Sequence, residues 1–301
     1  MGRRAKVNAK KRNRRIVTIS VAATIVAVIV VLAFIIEASQ SNSYSRYIGL
    51  PVSTSIMSQL TGVSDSTLAA VGHPSSVAAP TAISGTPLTL NGKPEVLYVG
   101  GEFCPYCAVE RWSMIVALSH FGNFSGLEYM QSSSTDVNAN TPTFTFRNAT
   151  FTSSYIEFVS VEEYNRATST VQPLTSSQQS LYSQYGSCPS TGSSGIPFID
   201  IANSYVVDCG AQFSLPQIAG DNWTTVASQL NNPSSSVAQP IDGAANTLIN
   251  AICKVDGMQP SSVCGSTYAT FSQVHLTYSA AAPPQSVLRL VQDRDATRWT
   301  D

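Results

Sequence analysis

Two cysteines set as Cys104-Pro105-Tyr106-Cys107 are the residues of this chain best suited to chemistry. A pair of thiols at this spacing can open and close a disulfide, provided one sulfur is held as a thiolate. The flanking residues supply the means. Val96, Leu97, Tyr98 and Val99 form a β-rich apolar run that ends in Gly100-Gly101, and an unbroken helix-like stretch follows the cysteines. A helix N-terminus offers unpaired N–H groups and the positive end of the helix dipole, and both stabilise a thiolate. Cys104 is therefore expected there, exposed and nucleophilic, with Cys107 one turn on as the resolving thiol. Pro105 suits the first helical turn, where its missing N–H costs nothing. Pro105 and Tyr106 would tune the pair and meet the substrate.

Zinc is the rival reading, and it needs about four ligands. No second Cys-x-x-Cys exists, and the histidines His73, His120 and His275 are far apart in sequence. No metal and no cofactor is expected, since dithiol exchange needs only the two sulfurs. A structural disulfide across the motif stays as the alternative.

The other elements of the chain place this motif. The 301 residues hold 17 basic and 18 acidic groups, but unevenly. Eight basic residues fall within positions 1–15 and every acidic one after position 36, which leaves the remainder at a formal charge of −9. Such a domain is a poor partner for nucleic acid. Ile16–Ile36 is 21 residues without a charge. At helical rise it spans about 30 Å, the thickness of a bilayer core. A basic segment before such a helix stays cytoplasmic. The expectation is a single-pass anchor in the cell membrane, with residues 37–301 extracytoplasmic. A cleaved signal peptide fits less well, because its apolar core is shorter and Ile36-Glu37-Ala38-Ser39 makes a poor cleavage site.

Six cysteines in an exported domain suggest disulfides. Beyond the motif, Cys188, Cys209, Cys253 and Cys264 allow three pairings, of which nearest neighbours, Cys188–Cys209 and Cys253–Cys264, are expected. Asn-x-Ser/Thr sequons at Asn123, Asn148 and Asn222 are compatible with a surface location.

The chain divides into a basic tail (1–15), a transmembrane helix (16–36), a juxtamembrane linker with short helices (37–87), the main domain (88–265) and a C-terminal extension of unassigned role (266–301). Pro51–Leu60 and Ser64–Val71 read as helices, 72–87 as loop, and Leu88–Leu90 with Glu95–Val99 as two strands about an Asn91-Gly92 turn. In the motif helix, Val109, Trp112, Ile115, Val116 and Leu118 recur at helical spacing, which turns Glu110 and Arg111 towards solvent. Leu127–Met130 is the next strand. An aromatic, β-rich insertion occupies about 131–160. Then come a helix at Ser176–Tyr185, strands at Ile196–Ile201 and Tyr205–Asp208, helices at Leu215–Leu230 and Gly243–Cys253, and either a short helix or disorder at Leu288–Val291. Trp112, Trp223 and Trp299 are assigned to packing rather than to substrate stacking.

The order is strand, motif helix, strand, insertion, helix, two strands, helix. It resembles the thioredoxin superfamily, an α/β (α+β) fold with a central sheet flanked by helices. More closely, the chain resembles a family of membrane-anchored, thioredoxin-like proteins of archaea and actinobacteria, catalogued as domain-of-unknown-function family 929. The carrying residues are Gly92-Lys93-Pro94-Glu95-Val96-Leu97-Tyr98 and Glu102-Phe103-Cys104-Pro105-Tyr106-Cys107-Ala108-Val109-Glu110-Arg111-Trp112. Further matches are Ser133-Ser134-Thr135-Asp136, Thr141-Pro142-Thr143-Phe144, Ala251-Ile252-Cys253 and Val263-Cys264.

The superfamily resemblance implies a cis-proline at Pro197, lying against the cysteines, with the Ile196 backbone facing an extended substrate. It implies a thiol–disulfide oxidoreductase acting on protein thiols and disulfides, and the extracytoplasmic compartment alone suggests a membrane electron-transfer partner that resets it. One departure stands out. Tyr98 occupies the place of the buried Asp that helps deprotonate the resolving thiol in thioredoxin. Glu102 and Glu110 are nearby but expected in solvent. A surface-binding module with a closed Cys104–Cys107 bond is the competing function, with 131–160 as its surface. An isomerase or holdase for secreted proteins is a third.

Overall fold

A parallel pair of strands next to an antiparallel hairpin forms the centre of the molecule. The computed structural model describes residues 23–32, 44–188, 192, 194–215, 218 and 221–270. Residues 23–32 are helical and exposed, and they are the part of the expected anchor that is described. Among the described residues no helix is long and apolar enough to cross a membrane. The basic tail, the rest of Ile16–Ile36, Leu288–Val291 and Trp299 lie outside the described residues.

The described residues from Ile48 onward form one unit. It opens with helices α1 (Thr54–Thr61) and α2 (Asp65–Val71), each started by a serine, Ser53 or Ser64, whose side chain accepts a backbone N–H of the first turn. Strands β1 (Thr81–Ala82), β2 (Thr89–Leu90) and β3 (Lys93–Gly101) follow. Asn91 and Gly92 both take positive φ (52° and 77°), as a two-residue hairpin requires. Next come α3 (Pro105–Ser119), β4 (Gly122–Ser125), β5 (Glu128–Gln131), β6 (Pro142–Thr145), β7 (Thr150–Ser153), β8 (Glu157–Tyr164) and α4 (Ser176–Tyr185). The last elements are β9 (Phe198–Ile201), β10 (Tyr205–Val207), α5 (Trp223–Gln229), α6 (Ala238–Val255) and α7 (Ser261–Cys264).

The main sheet runs β1–β10–β9–β3, with β8 on the other side of β3 and β2 hairpinned to its first residues. β3 and β8 are parallel; the β9 and β10 pairings are antiparallel. A central strand covered on both faces needs apolar residues at successive positions, and β3 is fully buried from Val96 to Gly101. On one face Leu97, Val99, Val161, Phe198 and Val206 meet Leu181, Tyr182 and Tyr185 of α4. On the other, Val96, Ile199 and Ile201 meet Met114, Ala117 and Leu118 of α3 and Leu248 and Ile252 of α6. The fold is thus a mixed α/β sheet between helices.

Four expectations are corrected. Leu127–Met130 coincides with β5, yet β5 is the strand partner of β6, with an added bridge from Glu128 to Pro51, and the parallel partner of β3 is β8. The insertion therefore ends before Glu157, and it consists of the small ribbons β4–β7 and β5–β6. Its aromatics pack inward: Phe144 and Phe146 are buried, and Phe144 meets Trp112 of α3 edge-on at 4.7 Å. Among the described residues of the segment expected as one helix from Leu215 to Leu230, the α-helix is α5, which begins where Asn222 caps Thr225 N–H. The expected loop 72–87 contains β1, paired with β10 at the sheet edge.

The remaining cysteines form Cys188–Cys209 and Cys253–Cys264. The first ties the end of the segment after α4 to the residues after β10, and the second ties α6 to α7.

Candidate active site around Cys104 and Cys107

The β3–α3 junction brings the two motif cysteines together. Cys104 is the N-cap of α3, Pro105 its first residue, and the Cys107 N–H points at the Cys104 sulfur at 3.4 Å. This is the helix-end geometry that favours a thiolate. The Cys107 thiol lowers the Cys104 pKa most by its hydrogen bond, and the Cys107 N–H and the Arg111 charge act in the same direction against burial. For Cys107 the direction is reversed: burial pushes it well up, and its bond to Cys104 adds to that. The two sulfurs are thus set apart, Cys104 towards the thiolate and Cys107 towards the thiol.

Both are free thiols. The expected exposure of Cys104 is corrected: its surface is 5% exposed, against 43% for Tyr106. The covering group is the chain before β9. The Ile196–Pro197 peptide is cis, and the Ile196 carbonyl accepts the Cys104 thiol at 3.7 Å. Ile196 is half-buried and Pro197 and Pro105 are buried, so Tyr106 forms the exposed rim. Tyr106 also borders Gly210, next to the Cys188–Cys209 bond, and Cys188 Sγ lies against Gly195, the residue before Ile196. Cys253 and Cys264 belong to the α6–α7 end and take no part.

The charged residues next to the motif are also corrected. Glu102, Glu110 and Arg111 are buried, none more than 1% exposed. Each has a partner far along the chain. Arg111 Nε donates to Glu162 Oε1 at 2.8 Å, and its Nη2 donates to Oε2 at 2.6 Å and to the Gly101 carbonyl at 2.9 Å. Glu162 further accepts the Phe146 N–H at 3.2 Å. Glu102 accepts the Thr145 hydroxyl at 2.8 Å and faces Arg147 at 3.3 Å. Glu110 accepts only the Gln212 N–H, at 3.0 Å, and burial lifts its pKa to about 7. Helical spacing could not reveal these burials, because the partners lie on β8, β6 and the loop after β10. Tyr98, the departure noted above, is wholly buried with its ring 5.7 Å from the Arg111 guanidinium. Among the described residues no group of three or more His, Cys, Asp or Glu side chains is set to hold a metal ion.

No curated protein and no solved structure matches this chain. A family match covers residues 79–254, from the loop before β1 to the end of α6, and includes the whole dithiol site. That span is more than half of the sequence, and the chain belongs to the family described as Domain of unknown function (DUF929).

Proposed function

We propose that this protein is a membrane-anchored, extracytoplasmic thiol–disulfide oxidoreductase with Cys104 as nucleophile and Cys107 as resolving thiol. The observation that carries the reading is the Ile196 carbonyl, ahead of a cis-proline, set on the sulfur of a helix-capping cysteine. The sheet order β8–β3–β9–β10, with α3 after β3 and α6 following β10, supports a thioredoxin-like core. Two closed disulfides elsewhere agree with an oxidising compartment. The uncharged Ile16–Ile36 after a basic tail supports the anchor.

In the reducing direction the Cys104 thiolate attacks one sulfur of a protein disulfide, and the other substrate sulfur leaves as a thiolate. Cys107 then attacks Cys104 Sγ, which breaks the mixed disulfide and releases the second substrate thiol. Two electrons pass to the substrate and the Cys104–Cys107 bond closes. The reverse sequence oxidises a dithiol. Direction follows from the site's potential relative to its partners, including the membrane partner that resets it. An extended substrate pairs with the Ile196 backbone while Tyr106 forms the outer wall.

The test is a redox titration of the full chain in thiol buffers, with Cys104→Ser as control. A reversible two-electron couple, absent from the control, is expected. A Cys104–Cys107 bond that no buffer opens without unfolding the domain would sink the reading in favour of a binding module.

A further inference from the structure

Beneath the dithiol lies a buried polar group that the exchange steps above do not use. Arg111 follows Cys107 by four residues, which places it one turn down on the same side of α3. Its fork is fixed by Glu162 and Gly101, while Nη1 has no partner. Tyr98 lies under the guanidinium, braced edge-on by Phe146 at 5.3 Å. The Tyr98 hydroxyl folds back over Gly100, where any Cβ would overlap it, so glycine is needed at that position. The Cys107 thiol is among the groups that raise the Tyr98 pKa, and the buried hydroxyl has no hydrogen-bond partner among the described residues. A buried donor left open carries a desolvation penalty, and such groups call for an explanation in function.

We propose that Tyr98 is a catalytic residue of the resolving step. Its hydroxyl donates a hydrogen bond to the Cys107 sulfur as that sulfur becomes a thiolate, with Arg111 as the fixed positive charge behind it. Glu162 is the positioning residue that holds the guanidinium. The inference rests on the oxidoreductase reading. In this step the Cys107 proton ends on the departing substrate thiol, Cys107 bonds to Cys104, and the mixed disulfide breaks. Tyr98 gives up no proton, because burial keeps its phenol protonated. The groups acting on Cys107 are Cys104 and Arg111 from α3, Tyr98 from β3, Glu162 from β8 and Tyr182 from α4. Glu162 is committed to Arg111. The site therefore stabilises the resolving thiolate with a donor and a cation rather than removing its proton with a carboxylate.

The experiment uses the full chain with Cys104→Ser, in which Cys107 is the one thiol left outside the two disulfides. Isotope-labelled cysteine allows the Cys107 β-carbon resonance to be followed by NMR as pH is varied. Adding Tyr98→Phe removes one oxygen and orphans no partner. The expected result is an upward move of the Cys107 midpoint by about one pH unit, a tenfold loss of thiolate at fixed pH. Gly100→Ala, which displaces the hydroxyl, should move it the same way. A midpoint unchanged in Tyr98→Phe overturns the proposal. A structural role alone would lower thermal stability without moving that midpoint. Failure of the oxidoreductase reading would appear elsewhere, as a missing redox couple in the unsubstituted chain.

Discussion

An ion pair lies at each end of the parallel strands β3 and β8, the second reached from α3, and the two are built differently. Where the strands begin, Lys93 meets Glu157 at 2.5 Å with both side chains partly exposed, 27% and 21%. Where they end, beside the dithiol, Arg111 grips Glu162 through two parallel bonds and neither side chain is exposed. Water can replace the first contact, since each partner keeps part of its hydration. It cannot replace the second, whose desolvation is offset only by its geometry and by the added Gly101 and Phe146 bonds. Of the two pairs, the fully desolvated one is at the end of the strands beside the Cys104–Cys107 motif.

Arg111→Ala tests this contrast most severely. It leaves the Glu162 carboxylate buried without its cation, a change that destabilises by about 3–5 kcal/mol. Denaturant unfolding of the full chain measures the loss. Arg111→Met combined with Glu162→Gln should recover much of it, because no bare charge remains. A loss below about 1 kcal/mol for Arg111→Ala would put the buried pair in the class of surface pairs and erase the distinction.

Glu110 sharpens the contrast from the neighbouring position on α3. It is as buried as Arg111 but has no cation, only the Gln212 N–H, and one of its oxygens is unpartnered. Burial raises it from 4.5 to about 7. Between those values the folded state keeps a proton that the unfolded state has released, so stability falls as pH rises through that window and levels above it. Asp242 on α6, lifted by burial to about 8 with neither oxygen bonded, extends the same slope upward. Glu110→Gln should flatten the lower part of the slope, a gain of about 3 kcal/mol at pH 8 relative to pH 5. Unfolding midpoints across pH check it. An unchanged slope would mean that Glu110 is ionised in the folded state despite lacking a cation beside it.

Glu110 and Arg111 also mark the limit of what the sequence discloses. The dithiol was legible because its determinants are local: a β-rich run, two glycines, a cysteine at the cap and a proline in the first turn. The helix start at Ser64 and the Asn91-Gly92 turn were legible for the same reason, whereas the first helix, expected from Pro51, begins at Thr54 behind its Ser53 cap. Which strand joins β3 was not, because Leu127–Met130 and Glu157–Tyr164 both have strand character, and long-range pairing decides between them. The burial of Glu110 and Arg111 was hidden in the same way. A charged residue on a helix normally faces water, and the residue that reverses this for Arg111 lies 51 positions later.

The mildest change completes the comparison from its exposed end. Lys93→Ala removes the Glu157 contact and a bond from Nζ to the Ser153 carbonyl at 2.8 Å, both at the rim of the sheet. Lys93 lowers the Glu157 pKa through its hydrogen bond, so this pair adds stability above the carboxylate range and loses it as pH falls through that range. The expected loss at neutral pH is about 0.2–1 kcal/mol, and it shrinks further in high salt, where exposed charges are screened. The Arg111→Ala loss should hold nearly constant with salt, because its partner is out of reach of mobile ions. Parallel unfolding curves for the two variants at low and high salt would show this directly. If the Arg111 effect were screened as strongly as the Lys93 effect, the two ends of the strand pair would be electrostatically alike, and the dithiol would have no protected cation beneath it.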